Sequence, residues 1–372
     1  MTAAEPLFCD HNAGTPALPE VLDEFVRVER EVPGNPASSH ASGRRARGVL
    51  EQARERIASA LGVAANDVVF TSGGTEAANM AVSGLGDPDL PVLLAPIEHP
   101  AVLAPAERRG VRYWGVDPTG AAQISAPAEA VGLLCLVHAQ SELGTLQPVA
   151  ACARLAATLG LPCFVDAAQS LGRESLAEPV QAGAVVALSP HKCGGLRGHG
   201  VLLGRDLSRG LRPLLRGGGQ ESGLRPGTQS PALAAANALA IERAVAEQRS
   251  RADHLHQVRS SFVEALHGHG AAVTLLTPLE NSITNTVMLC VEGVEGRSLL
   301  PALDLAGVHA SHGSACSSGS PTPPRVLTAI GLEDEHARRC VRFSFGLCDD
   351  VSFAREVAAR VVAATTRLRK KK

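Results

Sequence analysis

Short apolar runs alternate along this chain with longer amphipathic stretches. In residues 43–61, Ala46, Leu50, Ala53, Ile57 and Leu61 recur near helical spacing with Arg and Glu between them, which predicts a helix. The run 184–188 is continuous, apolar and valine-rich, as one fully buried strand should be. Similar runs predict strands at 67–70, 92–95, 111–116, 132–137, 163–165 and 201–203, with helices at 18–31, 100–108 and 149–159 and an alanine-rich helix after Thr75. Strands alternating with helices imply an α/β fold: a mainly parallel sheet covered on both faces, its ligand site beyond the carboxyl ends of the strands. Two long helices follow, at 231–247 and 252–266. Beyond them strands near 272–276, 284–290 and 340–345 and helices near 297–303, 325–330 and 353–367 suggest a smaller α+β unit. The expected division is a large domain of residues 15–250 and a small domain of residues 1–14 and 251–372.

The 372 residues suit two such domains, and at 45% hydrophobic but only 3% aromatic the core must be mostly Ala, Val and Leu. A net charge of -2 argues against a nucleic-acid or membrane-surface partner. No apolar run reaches spanning length, and residues 1–6 lack the features of a signal peptide, so a cytoplasmic location is expected. The nine cysteines show no CxxC spacing, and no ligand pairs stand at the usual zinc spacings, so neither disulfides nor a metal are expected. Cys135, Cys163 and Cys290 read as small core residues. The basic end, 369–372, reads as a solvated tail.

Chemistry gathers at the predicted strand exits. Lys192, in Ser189-Pro190-His191-Lys192, leaves a buried strand beside a histidine. Burial and nearby positive charge favour the free amine, which condenses with aldehydes. Strand 67–70 runs through Thr71-Ser72-Gly73-Gly74-Thr75-Glu76 into a helix, a geometry that offers backbone N–H groups to an anion, with Thr75 as the expected cap. Asp166 follows another strand, Gln169 stands one helical turn further, and His99 follows a third strand. Singly, each has a plainer role: Thr75 as a cap, Asp166 in a turn, His99 on a surface loop. Together they fit pyridoxal phosphate, with Lys192 for the aldehyde and Asp166 for the ring nitrogen. Gly74, Thr75, Ser189 and His191 would hold its phosphate, Gln169 would reach the phenolic oxygen, and His99 would stack on the ring. The glycine-rich stretch 216–228, with Gln220, Glu221 and Arg225, reads as a functional or interface loop.

These stretches, with Asp10-His11-Asn12-Ala13, Gly34-Asn35-Pro36-Ala37-Ser38-Ser39-His40, Arg225-Pro226-Gly227-Thr228, Gly313-Ser314-Ala315-Cys316-Ser317-Ser318-Gly319 and Val341-Arg342-Phe343-Ser344-Phe345-Gly346, resemble the cysteine desulfurases in content and order. That family belongs to the class V aminotransferase branch of pyridoxal phosphate enzymes. The resemblance implies fold type I, with a seven-stranded-type sheet in the large domain. It implies that Lys192 moves the α-proton of L-cysteine, assisted by His99. Cys316 would attack the substrate sulfur, with His312, His309 or His99 favouring its thiolate. Alanine leaves, and the persulfide passes to a sulfur acceptor. Arg342 would grip the substrate carboxylate near Asn12 and Ser141. Thr228 would reach the phosphate in a neighbouring subunit, which implies a homodimer. The sequence departs from the family pattern at Ser141, where asparagine is usual, and at Gly14, where threonine is usual. Both lie toward the substrate end. They leave open another class V enzyme (an aminotransferase or selenocysteine lyase) and a weakly active sulfur-carrier or scaffold protein.

Overall fold

The computed structural model describes residues 6–294, 296–312 and 323–369. Its strands are β1 (Leu7–Phe8), β2 (Val68–Thr71), β3 (Val92–Leu94), β4 (Val111–Tyr113), β5 (Leu133–Val137), β6 (Cys163–Asp166), β7 (Val185–Leu188), β8 (Gly200–Leu203), β9 (Val273–Leu275), β10 (Thr286–Val291), β11 (Val308–His309) and β12 (Cys340–Ser344). The helices are α1 (Pro19–Glu31), α2 (Ala41–Leu61), α3 (Gly74–Gly84), α4 (Pro100–Arg109), α5 (Val149–Leu159), α6 (Ala177–Gln181), α7 (Leu207–Gly210), α8 (Pro231–Ala246), α9 (Gln248–Gly268), α10 (Gly296–Leu305), α11 (Arg325–Ala329), α12 (Asp334–Ala337) and α13 (Val351–Arg369).

The central sheet has seven strands in the order β2-β8-β7-β6-β5-β3-β4. Only β8 runs against its neighbours; the other pairings in this sheet are parallel. Period-two alternation divides each strand between two cores. Leu134, Leu136, Val165, Val186 and Leu188 pack on the face covered by α2, α5 and α8. Leu133, Cys135, Phe164, Val185 and Ala187 pack on the face covered by α3 and α4. Burial on both faces is why these strands read as unbroken apolar runs.

A second sheet, β12-β10-β9, packs under α9 and α13. Phe262 lies 5.0 Å from Phe343 and 5.3 Å from Phe345 in this third core. The N-terminal segment joins it: β1 pairs in parallel with β11, and Asp10 bridges Ser344. Arg369, expected in a solvated tail, instead ends α13 and donates from Nε to the Glu292 carbonyl and from Nη2 to the Ala272 carbonyl. No described helix is long and apolar enough to cross a membrane.

Candidate active site

Strand exits β2, β3, β5, β6 and β7 open on one cavity of about 440 Å³. Asn12, Gly74, Thr75, His99, Ser141, Asp166, Gln169, Ser189, His191, Lys192 and Arg342 all line it. Thr228 is exposed and lies outside this wall, and Cys316 lies outside the described residues.

Lys192 ends a short 3-10 turn after β7. Burial pushes its amine down to about 8; Arg173 and Arg342 push the same way, and Asp166 and Glu142 oppose them. The expectation that His191 supplies the positive charge is corrected. Burial, Lys192 and Arg197 hold the His191 imidazole down to about 4, so it is neutral near pH 7. The cations are arginines distant in sequence. Arg173 donates to the Lys192 carbonyl at 3.3 Å and to Gln169 Oε1 at 2.7 Å. Burial likewise lowers His99, against the pull of Asp166.

The anion cup forms where β2 meets α3. Gly73, not Thr75, is the N-cap, and Thr75 sits inside the first turn. Thr75 therefore contributes a wall of the cup and does not cap the helix. A Cβ at position 74 would run into Ser189 Oγ, so the glycine keeps the backbone against that hydroxyl. Free N–H groups at the start of an 11-residue helix, beside a serine hydroxyl, fit a phosphate. Asp166, 7% exposed, ends β6 in the same cavity and fits a ring nitrogen. Gln169 lies in a turn, not on a helix, and its Nε2 donates to the Asn12 carbonyl at 2.9 Å. The residues present thus fit pyridoxal phosphate, which when bound supplies an aldehyde for amines and a sink for electrons released at the substrate.

The substrate end is assembled from distant segments. Arg342 lies within β12 and is 1% exposed. Its Nη2 donates to Asp10 Oδ1 at 2.6 Å and its Nη1 to the Ser141 carbonyl at 2.9 Å, while Nε has no partner. Asn12 Nδ2 donates to the Ser141 carbonyl at 3.1 Å and to Thr286 Oγ1 at 2.8 Å. The Ser141 hydroxyl turns away to Glu142 Oε2 at 2.8 Å, so residue 141 works through its backbone. Gly14 leaves room beside Arg197: a Cβ there would stand 3.1 Å from Arg197 Nη2. Sequence reasoning missed Asp10, Arg173 and Arg197. Asp10 stands in a stretch that carries the family resemblance and Arg197 is a cation in the glycine-rich exit after Lys192, but neither signal names its partner, and Arg173 carries none.

A lysine, an acid and an anion cup at the strand exits of a mainly parallel sheet define a pyridoxal phosphate enzyme of fold type I. The chain matches the family Aminotransferase class-V over residues 7–352. It is 33% identical to cysteine desulfurase IscS of Dictyoglomus turgidum, covering 96% of this chain and 94% of that protein. It is also 33% identical to an IscS-like cysteine desulfurase of Mycobacterium tuberculosis, with 97% of both chains covered. A solved NifS-like protein superposes with a TM-score of 0.88 at 29% identity, covering 98% of this chain and all of that one. The chain belongs to the cysteine desulfurase family of class V pyridoxal phosphate enzymes.

Proposed function

We propose that this protein converts L-cysteine to L-alanine and holds the released sulfur as a persulfide on Cys316. The observation that carries the proposal is the convergence of Lys192, Asp166 and Arg342 on one cavity. In this reading Arg342 Nε takes the substrate carboxylate, with the rest of its fork held by Asp10 and the Ser141 carbonyl. Lys192 moves the α-proton, its amine being basic enough to accept it and free enough near neutral pH to do so. Asp166 holds the proton on the cofactor ring nitrogen. His99, which lines the cavity, would stack on the cofactor ring and assist Lys192. The Cys316 thiolate attacks substrate Sγ. The carbon–sulfur bond breaks, its electron pair stays with the substrate β-carbon, and a proton completes alanine, so cysteine plus thiol yields alanine plus persulfide.

The terminal sulfur then passes to an acceptor. An exposed Thr228 outside the cavity suits a homodimer in which it serves the partner's cofactor. The proposed division is a large domain of residues 15–250 and a small one of 1–14 and 251–372, a boundary that falls in the first turn of α9, just after its joint with α8. A cytoplasmic site of action accords with a chemistry that needs reduced thiols. The test compares alanine and sulfide formation from L-cysteine in wild type and Cys316→Ala. Loss of both products on substitution supports the proposal. Unchanged turnover assigns the cavity to another class V reaction, and no turnover in either protein assigns it to a carrier.

A further inference from the structure

Three side chains that the active site leaves unused meet where the N-terminal segment crosses the turn after β12. A ring nitrogen of His11, Cys348 Sγ and a carboxylate oxygen of Asp349 all lie within 4.8 Å of one another. His11 Nε2 is 3.5 Å from Asp349 Oδ2, and Cys348 Sγ is 3.7 Å from Asp349 Oδ1. Around a tetrahedral zinc ion, with bonds of about 2.0–2.3 Å, neighbouring donor atoms stand roughly 3.3–3.8 Å apart. The two contacts to Asp349, one to each carboxylate oxygen, are therefore already at ligand spacing, and the three groups need close by no more than about an ångström.

His11 is only 1% exposed, yet its Nε2 has no hydrogen-bond partner. A buried nitrogen without a hydrogen bond, 3.5 Å from a carboxylate, calls for an explanation. The other side of the ring is fixed. Nδ1 lies 2.9 Å from Thr15 Oγ1, and donation of its proton there leaves the Nε2 lone pair free for a metal. The Phe8 ring packs edge-on at 4.9 Å, and Gly346 backs so closely onto the imidazole that no side chain fits at that position. Asp349 Oδ2 accepts from the Gly346 amide at 2.7 Å, the kind of supporting bond that orients a ligating carboxylate. Cys348 is exposed, so one ligand of the trio faces solvent, and with Thr15 it borders a cavity of about 240 Å³.

We propose that His11, Cys348 and Asp349 form a binding site for a divalent cation of the zinc class. A mixed nitrogen, sulfur and oxygen set suits zinc and not magnesium or calcium. Cys348 gives up its proton on binding, and a fourth position stays open to water. The cation ties residues 10–12 to the turn after β12. Asp10 holds Arg342 and Asn12 lines the active cavity, so occupancy steadies the substrate end. No spacing rule could reveal this site, because its ligands come from opposite ends of the chain and meet through the bridge between Asp10 and Ser344.

The test uses the full-length holoenzyme, treated with a chelator, freed of it, and titrated with Zn²⁺ or Co²⁺. The expected result is a single Co²⁺ per chain with tetrahedral visible bands and a thiolate charge-transfer band. Excess Zn²⁺ should raise the melting temperature by several degrees. Cys348→Ser should abolish the charge-transfer band and weaken Zn²⁺ at least about tenfold, and Asp349→Asn should also weaken it about tenfold or more. Cys316→Ser should leave the band and the affinity intact. Failure of wild type to bind, a band that survives Cys348→Ser, or one lost in Cys316→Ser overturns the assignment.

Discussion

Cofactor capture by the apoprotein at graded pH tests the electrostatics of the Lys192 amine directly. Burial is the main reason its ammonium form is disfavoured; Arg173 and Arg342 add to the effect and Asp166 opposes it. With the amine at about 8, roughly a quarter is free at pH 7.5, whereas an ordinary lysine at 10.5 would be about a thousandth free. Capture should therefore run roughly 200-fold faster at pH 7.5 than an ordinary lysine allows. The sign is fixed by the same reasoning. Below pH 8 the rate should climb about tenfold per pH unit, and above pH 8.5 it should level off. Asp166→Asn removes the leading group that favours the charged amine, so the plateau should begin at lower pH. The assay is stopped-flow mixing of apoprotein with pyridoxal phosphate, followed by the yellow colour of the bound cofactor. It is confined to pH 7–10, above the phosphate titration at about 6. A rate still rising tenfold per unit beyond pH 9.5 would refute the argument, and so would an Asp166→Asn plateau displaced to higher pH.

Other parts of the structure make equally definite commitments. Gly74→Ala forces the Ser189 hydroxyl to rotate out of the anion cup, so it should loosen the cofactor about as much as Ser189→Ala, roughly ten- to a hundredfold for one charge-assisted bond. The double variant should be no worse than either single one in equilibrium dialysis, and additive losses would show that the two residues act separately. Glu221 pairs with Arg54 at 2.8 Å and accepts from the Phe70 amide at 2.8 Å, both buried, so Glu221→Ala should cost about 3–5 kcal/mol in urea unfolding. A cost below about 1 kcal/mol would mean the pair is dispensable. Burial holds His138 and His199 down to about 4. Between pH 6.5 and 4 the unfolded chain binds their protons and the native chain does not, so stability should fall with acid by up to about 2.7 kcal/mol per pH unit from this pair. Denaturation midpoints across that window check it, and a flat profile in which His199→Phe changes nothing would remove the pair from the account.

The cofactor end was legible because it is built from local chain. Strands β5, β6 and β7 are buried on both faces, so each announces itself as an apolar run, and whatever follows the run must stand at the sheet edge. Asp166 and Lys192 are placed by that rule alone. The two-residue strands β1 and β11 left no period to detect, although their pairing is what carries Asp10 and His11 to β12. Local reasoning also mistook details inside the turns. Thr75 looked like a cap because threonine favours that position, yet the helix starts at Gly74 with Gly73 as its cap, and Thr75 lies in the first turn. Gln169 was given a helix where the chain makes a turn pinned by Asn12 and Arg173.

At the substrate end the informative contacts span most of the chain. Arg342 is oriented by Asp10 and by the carbonyl of residue 141, partners that no window of sequence contains. This changes how the unusual Ser141 should be weighed. A residue that acts through its carbonyl tolerates a change of side chain, provided the backbone stays where Asn12 and Arg342 hold it. On the proposed function, the departure would change the side chain offered to substrate at residue 141 while leaving the contacts that orient Arg342 in place. Ser141→Asn should accordingly alter KM for L-cysteine with little effect on the persulfide step. A large fall in kcat with unchanged KM would place residue 141 in the chemistry and overturn this view of the substrate end.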